Sequence, residues 1–134
     1  MADEKASPET IVALMRANLL GVFNERSSEV RNATIKTTYA EDVVIYEPSN
    51  IAHGHAEIDR ISSELLNKSP GWVFAPNGSV IISHNLGILR WHFGPEGQKP
   101  LVEGIDIAQI VGGKIKVLHV MIGGVSEAGE VAGM

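Results

Sequence analysis

Two acidic residues occupy positions where a carboxylate can do more than face water. Asp106 interrupts the apolar run Val102-Glu103-Gly104-Ile105-Asp106-Ile107-Ala108. In a strand, period-two alternation puts Asp106 on one face with Gly104 and Ala108, and Glu103, Ile105, Ile107 and Gln109 on the other. Small neighbours leave space above the carboxylate, as a ligand pocket requires. Glu47 follows the run Asp42–Tyr46 and precedes Pro48, whose ring holds it extended. Isomerisation, cyclisation and dehydration beside a carbonyl all need a base for a carbon-bound proton and a donor for the developing oxyanion. Carboxyl groups are among the side chains that can supply either role. The plainer alternatives are a surface acid at a strand end for Glu47, and for Asp106 a carboxylate satisfied by backbone or by Arg90.

Other polar and aromatic residues are candidates for substrate contact: Arg90, His92, Trp91, Tyr46, His55 and Trp72. Arg90 and His92 alternate onto one face of the run Gly87–Phe93. An Asp106–Arg90–His92 cluster would keep Asp106 ionised and make it a base, whereas a salt bridge at the sheet edge is the competing role for Arg90. Trp72, Phe74, Trp91 and Phe93 line the interior. Tyr46 neighbours Glu47 on its strand and so points to the opposite face. His53 and His55 flank Gly54 at the start of a helix, where a polar residue commonly caps. His119 shares a face with Val117 and Met121. The five histidines offer no ligand spacing beyond His53-Gly54-His55, and there is no cysteine. No metal and no cofactor is expected. Neither a nucleophilic Ser motif nor a phosphate-binding glycine loop is present.

These residues need elements to position them. Ser7-Pro8 offers an N-cap and a proline at the first helical position, and Ile11, Leu14, Met15, Leu19, Val22 and Phe23 recur at helical spacing. A second, weaker helix runs from Ser27 or Ser28 to about Tyr39, and a third from about Ala56 to Asn67. After position 70 the pattern turns to strands: Trp72–Ala75, Val80–His84, Gly87–Phe93, Leu101–Val111 and Lys114–Ile122, with Asp42–Tyr46 as an earlier one. Val111-Gly112-Gly113-Lys114 reads as a tight hairpin, because a type I′ turn wants positive φ at both central residues. Three helices cannot cover both faces of such a sheet. One face must curl around them and leave a hollow at the wide end. The expected fold is α+β, a cone-shaped curved sheet, mostly antiparallel, wrapped around three N-terminal helices with an internal pocket.

The chain of 134 residues fits one domain, with an ordered core over about 8–122 and a Gly/Ala/Glu-rich tail from 123 to 134 expected to be mobile. Apolar residues make up 44% and charged residues 20%, the balance of a globular domain rather than a disordered one. Net charge is −5 and the bases are scattered, so nucleic acid is not an expected partner. No apolar run reaches the roughly 18 residues of a membrane span. The charged start Met1-Ala2-Asp3-Glu4-Lys5 does not read as a signal peptide, which points to the cytoplasm. Ile105, Ile107, Val117 and Met121 give the sheet an apolar outer face suited to a homodimer.

Three stretches resemble the nuclear-transport-factor-2-like superfamily, and within it the SnoaL-like and ketosteroid-isomerase-like proteins. They are Tyr39-Ala40-Glu41-Asp42-Val43-Val44-Ile45-Tyr46-Glu47-Pro48, His53-Gly54-His55-Ala56-Glu57-Ile58, and Gly104-Ile105-Asp106-Ile107-Ala108-Gln109-Ile110-Val111-Gly112-Gly113-Lys114-Ile115. Leu89-Arg90-Trp91 is similar to the SnoaL-like middle strand. The resemblance covers about residues 8 to 122. It implies that Glu47 stands where the isomerases keep their proton-shuttling carboxylate, and Asp106 where they keep a protonated acid that hydrogen-bonds an enolate. That protonated acid is the general pattern for the isomerases. The isomerases add a tyrosine from helix one, where this chain reads Asn18-Leu19-Leu20-Gly21, so steroid isomerisation of that type is not implied. The superfamily's epoxide hydrolases carry Arg-x-Asp on the Arg90 strand and a second Asp. Here His92 replaces one Asp and the other, near Val120, is missing. The expected function is a cofactor-free enzyme acting on a small hydrophobic oxygenated metabolite. A non-catalytic ligand-binding or dimerisation module is the alternative, and an epoxide hydrolase stands third.

Overall fold

The computed structural model describes residues 5–125 and 131–132. Helix α1 (Pro8–Arg16) starts as the sequence predicts: the Ser7 hydroxyl accepts from the Thr10 amide at 3.1 Å and Pro8 takes the first helical position. It does not stop at Arg16. The chain widens into a π-helical turn over Ala17–Val22, in which the Phe23 amide reaches back five residues to the Asn18 carbonyl. Such widened turns often sit at functional sites. Helix α2 (Ser28–Thr38) is capped by Ser27, and α3 (Gly54–Lys68) begins two residues before the expected start. Glu57 accepts from the His53 amide at 2.6 Å and closes that earlier first turn.

The strands are β1 (Tyr39–Tyr46), β2 (Ile51–His53), β3 (Trp72–Pro76), β4 (Ile81–Ser83), β5 (Leu86–Pro95), β6 (Val102–Val111), β7 (Lys114–Val125) and β8 (Val131–Ala132). They form one mixed, curved sheet in the order β2-β1-β7-β6-β5-β3, with β4 paired to β5 and β8 to β7. Only β1 and β7 run parallel among these pairs. The β6–β7 hairpin turns at Gly112 and Gly113, both at positive φ, as its sequence requires. β2 has no counterpart in the sequence reading; three residues are too short to show alternation. β7 continues to Val125, beyond the expected end of the core. The expected mobile tail otherwise falls on residues 126–130 and 133–134, outside the described residues.

The three helices fill the concave face. Ile11, Met15, Leu19 and Val22 from helix one, Ile35 from α2 and Ile58 from α3 meet Leu89, Ala108, Ile110, Ile115 and Leu118 of the sheet, all fully buried. A shift in register at Gln109/Ile110 of the β6–β7 ladder lets Ile115 and Leu118 of β7 both face inward despite their odd spacing. Among the described residues no helix is long and apolar enough to cross a membrane.

Candidate active site

Asp106 lies mid-strand in β6, directly opposite Leu89 of β5 and Val120 of β7. Residues opposite one another on paired strands share a face, so Asp106 projects into the core, where it is 3% exposed. The space over its small neighbour Gly104 is not open, as alternation alone suggests; the Trp91 indole occupies it. A Cβ at position 104 would come within 2.1 Å of that ring. With the ring seated there, the Trp91 Nε1–H donates to Asp106 Oδ1 at 2.9 Å.

The second carboxylate oxygen is held from helix one. Asn18 Nδ2 donates to Asp106 Oδ2 at 3.0 Å, and the Tyr39 hydroxyl donates to Asn18 Oδ1. Asn18, on the widened turn, is 1% exposed, and Tyr39, at the α2–β1 joint, is fully buried. The sequence reading passed over both. A signal was present: Asn18 falls between Met15 and Val22 on the apolar stripe, and a polar residue there needs a buried partner. Nothing in the sequence marks Tyr39 as that partner.

Burial pushes the Asp106 carboxyl from an ordinary 3.8 up to about 7. The hydrogen bond from Trp91 opposes the rise, the charge of Glu47 adds to it, and the bond from Asn18 again opposes it. Burial also raises Glu47 above the usual carboxylate range, and burial and the Asp106 charge push the Tyr39 hydroxyl well up. Asp106 therefore holds its proton well above the pH at which a water-exposed carboxyl loses it.

Two hollows meet at Glu47. The inner chamber, about 40 Å³, is lined by Asn18, Leu19, Phe23, Phe74, Trp91, Asp106, Leu118 and Val120 together with Glu47, Leu65 and Ile122. Its aromatic wall is interlocked: Phe74 packs edge-on against Phe23 and Trp91, with ring centres 6.3 and 5.0 Å apart. Glu47, Leu65 and Ile122 also line an outer cleft of about 510 Å³, which continues past Pro48, Ser49 and Asn50 to Ile61, Glu64 and Lys68 of α3. Glu47 thus stands at the neck between a roomy outer cleft and a small apolar chamber with Asp106 at its wall.

The remaining expected contacts lie elsewhere. Arg90 pairs with Ile105 and is exposed on the convex face, and His92 faces the same way, against Asn77 at 3.2 Å and Glu103 at 3.7 Å. The Asp106–Arg90–His92 cluster does not form, because Asp106 is opposite Leu89 rather than Arg90. Tyr46 is also on the convex side, stacked on His119 at 4.8 Å. His55 Nε2 sits 3.0 and 3.1 Å from the carbonyls of Tyr39 and Ala40 and ties α3 to β1. Trp72 packs edge-on against Phe93 and lines neither hollow. Of the six expected contacts, only Trp91 reaches the chamber. Among the described residues no group of three or more His, Asp or Glu side chains is placed to hold a metal ion.

The model of the SnoaL-like domain family matches residues 20–118, most of the chain and all of the inner chamber's lining except Asn18, Leu19, Val120 and Ile122. The chain belongs to the SnoaL-like family. Solved structures agree on the fold. One from Agrobacterium tumefaciens, described as an isomerase of the SnoaL-like family, superposes with a TM-score of 0.80 at 19% identity, covering 87% of this chain and 99% of that one. A structure from Jannaschia described as a SnoaL-like polyketide cyclase gives 0.70 at 13% identity, covering 89% and 90%. A structure from Kribbella flavida described as a ketosteroid isomerase gives 0.66 at 20% identity, covering 89% and 82%. No curated protein matches the sequence. This SnoaL-like chamber pairs two carboxyls of unequal burial, and no Arg, Lys or His side chain lines it.

Proposed function

We propose that this SnoaL-like protein is a cofactor-free enzyme of isomerase or cyclase type, moving a proton beside a carbonyl on a small hydrophobic oxygenated metabolite. Glu47 takes a carbon-bound proton. The electron pair of the broken C–H bond delocalises onto the carbonyl oxygen, and protonated Asp106 donates a hydrogen bond to the oxyanion that develops. Glu47 then returns the proton to another carbon, or the carbanion closes a ring on a second carbonyl of the same molecule, whose π pair moves to its oxygen and takes the proton from Glu47. The observation that carries this is the unequal placement of the two carboxyls: Asp106 buried in the chamber, Glu47 at its neck. Environments that push two titratable groups apart assign acid and base roles, and the more deeply buried group keeps the proton.

The chamber sets a limit on the substrate. About 40 Å³ holds little more than one water, so only the reacting end of a metabolite enters, and its bulk lies in the outer cleft. The same small volume supports the second reading, a module that binds or dimerises without chemistry. Solvent-deuterium exchange into the α-positions of small apolar ketones separates the two. The protein should catalyse it, and Glu47→Gln should slow it by about 10²–10⁴-fold. Equal exchange with the wild type and Glu47→Gln would end the enzyme reading. The convex face, with half-buried Ile105, Ile107 and Val117 and an exposed Met121, supports a homodimer across the sheet. Sedimentation showing only monomer at micromolar concentration would contradict that.

A further inference from the structure

Among the described residues the lining of the outer cleft includes one cation, Lys68. Ile61, Glu64, Leu65 and Lys68 lie at helical spacing on one face of α3 and form one wall of the cleft. A lysine in the last turn of a helix ordinarily bonds the free C-terminal carbonyls or pairs with an acid one turn back. Both openings are taken here. Arg26 donates to the Leu66 and Ser69 carbonyls, each at 2.8 Å, and to the Trp72 carbonyl at 3.1 Å, so it covers the end of α3. Glu64, the acid one turn back, reaches the other way and meets Arg60 at 3.4 Å. Lys68 is exposed and makes no hydrogen bond or ion pair with any described residue.

We propose that Lys68 is a specificity-determining residue, the anchor for a carboxylate at the far end of the substrate. The preferred metabolite is then a keto acid, and neutral ketones are weaker ligands of the same cleft. This rests on the reading of the chamber as the place of reaction and of the cleft as the berth for the substrate's bulk. Leu65 and Ile122 line both hollows, which puts the neck beside Leu65. Lys68 follows Leu65 by just under one turn of α3, about 4.5 Å of rise. A carbonyl in the chamber and an anion at Lys68 are therefore joined by a short apolar link, for which Ile61, Leu65, Val102 and Ile122 supply the wall. A single lysine is a point charge, with no bidentate fork to grip a larger anion. Glu47 and Glu64 share the lining, so a doubly charged phosphate meets more repulsion than attraction there. A singly charged carboxylate is the group that fits, and Ser49 and Asn50 add hydroxyl and amide donors to the same lining.

Levulinate carries a carboxylate a short link from its ketone, and its methyl ester is the same chain without the charge. Binding of each is read by ligand-observed NMR titration at low ionic strength, and α-exchange in deuterium oxide is followed in parallel. The wild type should bind levulinate about two- to fivefold more tightly than the ester, the worth of an ion pair open to solvent. Salt should erase that preference. Lys68→Met, which keeps an apolar stem, should lose it, and Lys68→Arg should retain it. No preference in the wild type overturns the proposal, and so does the same preference in Lys68→Met. A fall in ester affinity as large as that for levulinate overturns it too. The two readouts keep the levels apart. A Lys68-dependent preference in binding with no exchange of either compound upholds the anchor and tells against the enzyme reading. Exchange of both compounds, with a preference that Lys68→Met leaves intact, ends the anchor alone.

Discussion

β5 and β6 carry polar side chains on both faces, and the two faces put them to different use. On the concave side Trp91 and Asp106 are 3% exposed each and joined by a 2.9 Å hydrogen bond, with Asn18 and Tyr39 completing the chain. On the convex side of the same two strands, His92 and Glu103 face each other at 3.7 Å and Arg90 lies open to water. A contact of the second kind is worth about 0–1 kcal/mol, since water screens it and competes for it. The first kind works where water is excluded, so every missing or misplaced partner is felt in full. Asp42 sharpens the point. It is a carboxylate of the same type, exposed on β1, and its contact with Lys116 lowers it where burial raises Asp106. Position relative to the two faces, more than residue type, decides which carboxyl can hold a proton near neutral pH.

Asp106→Ala should break this contrast most severely. Ketone α-exchange should fall by about 10²–10⁴-fold, while far-UV circular dichroism keeps the sheet signature. Retained exchange would put the inner and outer carboxylates on equal terms.

The next effect is on the pH dependence of stability. The folded state keeps the Asp106 proton up to about 7, whereas the unfolded chain loses it near 3.8. Asp106 therefore contributes its full share below about pH 4, and that share is lost as pH rises through 7, a change of a few kcal/mol by linkage. Urea unfolding of the wild type should show this decline. Asp106→Ala should be less stable overall, with Trp91 and Asn18 left unpaired, but should lack the slope that Asp106 adds over that window. An identical slope in both would mean that another group titrates.

Gly104→Ala should cost about 1–3 kcal/mol, the penalty of forcing a methyl into a packed wall, because its Cβ meets the Trp91 ring. Denaturant midpoints measure the loss, and altered Trp91 emission reports the displaced indole. Arg90→Ala should do least, within about 0.5 kcal/mol and with exchange activity unchanged. A large loss of activity in Arg90→Ala would show that the convex face takes part in the chemistry after all.

What was legible in the sequence follows from short range. Alternation around Asp106, the proline after Glu47 and the glycine pair at the β6–β7 turn are each written within a few residues. Alternation also put Arg90 and His92 on one face correctly. It gave the phase within a strand and nothing about the phase between strands, so the cluster with Asp106 was reachable on paper and absent in space. Register made that decision: Leu89 is opposite Asp106, which turns Arg90 outward. Asn18 could be suspected as a polar residue on an apolar stripe, yet its partner is 88 positions away.

The sequence by itself determined the longer elements, the β6–β7 turn and the strand phase of Asp106, because backbone geometry and side-chain periodicity act over a few residues. Only the tertiary structure decided that Trp91 fills the space over Gly104, that Tyr39 reaches Asn18, and that Glu47 stands at a neck between two hollows. Those facts depend on how β1, β5 and β6 register and on where a widened turn of helix one meets them. Exclusion of water from that meeting point is what gives an ordinary carboxylic acid a proton to hold.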